Sequence, residues 1–125
     1  MIKVLTLAAL LVVFDAAAVE AQRTTERFIP IGRSPGVSGV TAILGPIEAV
    51  DRAAGTCRVT TAAGPVTVRI TEETRIWIDR SAQQQTTLAG TPEDLVVGRT
   101  VEIKFTDAQR RESAEWIKIA QPPGG

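Results

Sequence analysis

The chain has 125 residues, 44% of them hydrophobic, with 14 basic residues against 14 acidic ones, one cysteine and no histidine. That length holds one domain, and a zero net charge argues against a nucleic-acid-binding protein, which carries a basic surplus. Without histidine the commonest general base and transition-metal ligand are gone, and one cysteine excludes an internal disulfide or a Cys-based zinc cluster.

The hydrophobic residues are unevenly spread: 17 of the first 21 are apolar, against 38 of the other 104. Lys3 supplies a short positive region, Val4 to Phe14 an apolar run broken only by Thr6, and Asp15 to Ala21 small and polar residues. This order predicts a cleavable secretory signal peptide over residues 1–21, cut before Gln22, with Ala16-Ala17-Ala18 as a second cleavage site. Its apolar core is too short to span a bilayer, which takes roughly 20 residues. No cysteine follows it, so no lipid anchor is expected. The mature chain is expected in the periplasm or outside the cell. It would carry 13 basic and 12 acidic residues, a charge that does not steer it toward nucleic acid or anionic lipid. Cys57 alternates with Arg58 and shares a face with Val59, which favours a buried thiol over a reactive one.

Residues 22–36 hold two prolines and two glycines without periodicity and read as a flexible leader. Phe28, Ile29 and Ile31 are its sticky part, suited to packing on the domain or to docking. From residue 37 to 120 short alternating runs are divided by turn residues, an all-β pattern. Runs are predicted over 40–50, 56–61, 66–70, 75–79, 100–106 and 112–120. Gly45-Pro46 marks a bend in the first run. Residues 80–90 read as a polar loop. Thr91-Pro92-Glu93-Asp94 starts a helical stretch of one to two turns that Gly98 stops. Residues 121–125 cannot extend a sheet. About five to six antiparallel strands with one short helical turn point to a partly open, OB-like barrel.

The residues that carry a family likeness are Gly45-x-Ile47-x-Ala49-Val50-Asp51, Gly64-x-Val66-x-Val68 leading to Thr74-Arg75-Ile76, Glu93-Asp94-Leu95-x-Val97-Gly98-x-x-Val101-Glu102-Ile103, and Ala114-x-x-Ile117-x-Ile119. In this order they resemble the exported bacterial domain of unknown function 5666. The chain departs at Arg99, where that family often carries an acid. The resemblance implies an OB-like fold and an envelope location, and no reaction.

No constellation stands out as a reaction centre. A Ser–His nucleophile is impossible, and nothing brings Lys104 or Lys118 to a serine. Glu72-Glu73 sits in a turn, and Glu93-Asp94 suits the start of a helix. Neither pair offers enough oxygens for calcium, and no set suits copper or zinc, so no metal or cofactor is expected. The aromatics say more. Ile76 and Ile78 claim the inward face of their run, which turns Trp77 outward; the same alternation turns Trp116 outward beside Lys118. A tryptophan covers roughly 150–250 Å² when buried, so two wet ones would mark a platform for a glycan or an extended peptide. The candidate contact residues are Trp77 and Trp116, with Arg75, Lys118 and Arg99 near them in sequence. The alternatives are that the leader, the 80–90 loop or the tail covers the tryptophans, or that the strand register is shifted by one residue. The sequence thus favours a non-enzymatic envelope binding module whose partner is a protein or polymer. A domain docking by strand addition through the leader comes second, and a hydrolase of unknown type is the remote third.

Overall fold

The structure, a computed structural model, describes residues 26–33 and 42–121. The segment expected to be a signal peptide, residues 22–25 and 34–36 of the expected leader, residues 37–41 of the expected barrel domain and the last four residues of the expected tail therefore lie outside the described residues. Seven strands form one mixed sheet: β1 (Ala42–Asp51), β2 (Thr56–Thr61), β3 (Gly64–Arg69), β4 (Arg75–Asp79), β5 (Leu88–Ala89), β6 (Thr100–Phe105) and β7 (Ala114–Ala120). Their order across the sheet is β3-β2-β1-β6-β7-β4-β5. No helix among the described residues is long and apolar enough to cross a membrane.

β1 organises the fold because it serves two neighbours in turn. Residues 42–46 pair with β6 and residues 47–51 with β2. The handover falls at Gly45-Pro46, where a register shift follows between Ile47 and Ala49. Proline has no N–H for a ladder, and here it stands where β1 leaves one partner for the other. Glycine is needed for a different reason. A Cβ on Gly45 would lie 1.9 Å from the Thr60 carbonyl oxygen of β2. The bend expected from sequence is thus a close crossing of two backbones.

Three expectations need correction. The sheet is not wholly antiparallel, because β4 runs parallel to β7, with Ile76 opposite Ile117. It has seven strands rather than five to six and is not closed; β3 and β5 are its ends. At one point the far end does approach: the Arg69 N–H donates to the Glu112 carbonyl just ahead of β7, at 2.8 Å. The 80–90 loop contains β5 and a 3-10 turn over Ser81–Gln83. Two residues are too few to show alternation, and β5 is held by its partners: Ile78 faces Leu88, and the Gly90 N–H donates to the Ile76 carbonyl at 2.8 Å.

The helical stretch is a single 3-10 turn over Pro92–Asp94. The Thr91 N–H donates to Asp94 Oδ2 at 2.8 Å, and the Arg52 guanidinium closes the other end on the carbonyls of Pro92 and Leu95. With its free carbonyls taken, the turn ends at Leu95, which is fully buried.

One face of the sheet forms the apolar core, with Ile43, Ile47, Val59, Val101, Ile103 and Ile117 among its members. Cys57 is buried with them, and burial pushes its thiol up to about 11. It is therefore protonated and unreactive at neutral pH.

Candidate functional site

The opposite face of β6, β7 and β4 carries charge and aromatic rings instead. Alternation and register set them in rows. Leu44, Glu102, Lys118 and Trp77 lie abreast across β1, β6, β7 and β4; Ala42, Lys104, Trp116 and Arg75 form the neighbouring row. Cross-strand neighbours on one face stand about 4.5–5.5 Å apart at Cβ, so these side chains must meet. The tryptophan rings do, with centroids 5.8 Å apart and planes tilted by 36°. The Lys118 ammonium lies 4.5 Å from the centre of the Trp116 ring, a cation–π contact.

This face is not wet. The outward register read from sequence places the tryptophans on the right side, but Trp77 is only 7% exposed and Trp116 2%. Lys118 and Glu102 are fully buried, and Asp79 nearly so. The cover is the leader. Residues 26–33 make two short turns, closed by Ile29 N–H to Glu26 O and Arg33 N–H to Pro30 O, each at 3.1 Å. They lie across the face as a strap, and five sheet side chains bind it. The Trp116 indole N–H donates to Glu26 Oε2 at 2.9 Å. Lys104 Nζ donates to Glu26 Oε1 at 2.8 Å, and lies 3.4 Å from Glu115. Lys118 Nζ donates to the Ile29 carbonyl at 2.7 Å. Asp79 Oδ2 accepts from the Ile31 N–H at 2.8 Å, and Glu102 Oε1 from the Gly32 N–H at 2.7 Å.

The strap's own apolar side chains contribute less. Phe28 is 56% exposed, with the Arg27 guanidinium stacked 4.9 Å from its ring. Ile29 and Ile31 are half-buried. Gly32 takes a positive φ of 86°, which other L-residues rarely adopt; this turns its N–H to Glu102 without backbone strain. Seating on this face is therefore largely polar and directed at the main chain.

The electrostatics follow from that burial. Burial alone would raise the Asp79 pKa, but the N–H groups of Ile31 and Ser81, the Ser81 hydroxyl and the Lys118 charge outweigh it and hold it below the usual value. Burial lowers the Lys118 pKa, opposed by Glu102, Asp79 and Glu26. At Lys104 the same penalty is outweighed by the Glu26 bond and the Glu115 charge, and its pKa rises. A depressed carboxylate contributes stability above its unfolded value near 3.9 and loses it as the pH falls through the folded one. At pH 7 the tryptophan emission is accordingly expected to be blue-shifted and shielded from iodide. As the pH falls through that lowered value, protonation of Asp79 weakens its hold on the Ile31 N–H, and the emission moves to the red while far-UV dichroism keeps its strand signal. Emission already red and quenchable at pH 7 would contradict the seated strap.

Of the residues singled out from sequence, Trp77, Trp116 and Lys118 are brought together. Arg75 joins their row, is exposed, and lines a pocket of about 90 Å³ together with Glu73, Thr106, Glu115 and both tryptophans. Arg99 stands apart, in the turn ahead of β6, where its carbonyl accepts from Ile47 at 2.9 Å. Glu26, Asp79, Glu102 and Lys104 belong to the site and were missed. In sequence Glu102 and Lys104 look like ordinary solvated positions, and only the strap distinguishes a covered charge from a wet one. A larger cleft of about 360 Å³, between Val50, Arg52, Ile70 and Pro92, is lined by exposed or half-buried residues only. Among the described residues no three His, Cys, Asp or Glu side chains are grouped to hold a metal. The chain matches no family model, no curated protein and no solved structure.

Proposed function

We propose that the protein is an exported, non-enzymatic binding module of the bacterial cell envelope, and that the Trp77–Trp116–Lys118 face is its contact surface. One observation carries this reading: that face already holds a polypeptide segment, residues 26–33, through five side-chain hydrogen bonds. Paired indoles and a lysine beside two carboxylates suit a partner with both donors and acceptors. The apolar N-terminal run followed by small residues supports export. The OB-like reading, and with it kinship to the resembled family, draws support from the division of β1 between β6 and β2 and from the approach of Arg69 to Glu112. Docking by strand addition through Phe28–Ile31 is less favoured, because that segment is folded into turns rather than extended.

The test is cross-linking in the native envelope with three forms: the wild type, a form lacking residues 22–36, and Trp77→Phe/Trp116→Phe. Removing the strap is expected to increase capture of a partner, and replacing the indoles to reduce it. Identical partner lists from all three would overturn the reading, and capture lost with residues 22–36 would move the contact to the leader.

A further inference from the structure

Resting on the binding reading above, we infer that this face recognises a peptide main chain, that residues 26–33 occupy it as a ligand in cis, and that the partner is a polypeptide segment with the same pattern. That pattern is an acidic side chain, an accepting carbonyl three residues later, and free N–H groups five and six residues later. Glu26, Ile29, Ile31 and Gly32 supply these groups here.

Three observations support recognition over mere packing. First, three of the five bonds go to the strap's backbone, so they read chain direction and spacing rather than side-chain identity. Second, the strap covers the face while leaving its largest apolar side chain, Phe28, mostly exposed. A segment kept for hydrophobic cover would bury that ring first. Third, the strap does not complete the site. Glu102 is fully buried, yet its Oε2 has no hydrogen-bond partner among the described residues. A buried acceptor without a donor is unfavourable, so a segment offering one more donor there would bind better and could displace the strap. Lys118 and Glu102, opposite each other on β7 and β6, then act as the pair that reads a carbonyl and an N–H of the incoming chain.

A nicked full-length chain tests this. A protease site is inserted within residues 34–41, the protein is cleaved after folding, and the complex is passed through gel filtration. The severed segment is then challenged with labelled peptides covering residues 24–35. The wild-type peptide is expected to exchange into the site and to shield the tryptophans from iodide. Peptides with Glu26→Gln or Ile31→Pro, which lose the charged acceptor or one N–H, are expected to bind at least about tenfold more weakly. Retention of the severed segment through filtration, displaced by excess labelled peptide, also supports the inference. Loss of the segment without rebinding would overturn it. So would exchange that ignores both substitutions, which would mean apolar adhesion alone. These outcomes are read on purified protein. A peptide site without any envelope partner would therefore remain distinguishable from a face that binds no peptide.

Discussion

Lys118→Met is expected to destabilise the protein by about 3–5 kcal/mol, the cost of leaving a buried charge without its partner. Lys118 has no exposed surface and is opposite Glu102, which has none either. Methionine fills a similar volume but gives up the ammonium's contact with the Trp116 ring. What disappears is the cation facing Glu102 and Asp79, together with the donor to the Ile29 carbonyl. The controlling experiment is a double-mutant cycle with Glu102→Gln, followed by urea denaturation. If the two charges depend on each other, the double variant recovers part of the loss that Lys118→Met causes alone. Strictly additive losses would mean that the pair is not coupled, and the charged face would need another explanation.

Gly45→Ala is expected to cost about 3 kcal/mol or more, at the upper end of what overpacking does. The added methyl would sit 1.9 Å from a backbone oxygen and 2.9 Å from the carbonyl carbon of Thr60. Neither atom can swing aside as a side chain would, so β1 and β2 must separate where β1 changes partners. Gly64→Ala serves as a contrast: among the described residues, no atom beyond its chain neighbours lies within 4 Å of its added Cβ, and the positive φ of 122° is what resists the change. Equal midpoints in urea for Gly45→Ala and the wild type would refute the close crossing.

Most strands were legible because their alternation is local. Val66 and Val68 against Thr67, and Val101 and Ile103 against Glu102 and Lys104, announce a face and its opposite within a few residues. The tryptophans' side of the sheet was legible for the same reason. Whether that side is wet was not, because the answer lies in a segment far away in sequence. Glu26 meets Trp116 across 90 residues and Ile31 meets Asp79 across 48. The parallel pairing of β4 with β7 was hidden likewise, since register between distant strands leaves no periodic trace. The Phe28–Ile31 stretch did announce itself as sticky. Its apolar residues drew that notice, yet its main-chain groups and Glu26 make the contact, and sequence gives no signal for which backbone amides will be bound.

Amide hydrogen exchange at Ile31 and Gly32 tests the seated strap most directly. Both N–H groups donate to buried carboxylates of the sheet, at 2.8 and 2.7 Å. They are expected to exchange at least about a hundredfold more slowly than in an unstructured peptide, and to lose that protection in Asp79→Ala and Glu102→Ala respectively, which remove the accepting oxygens. Exchange at the unstructured rate in the wild type, with the core amides of β6 and β7 still protected, would show that the leader does not occupy the face.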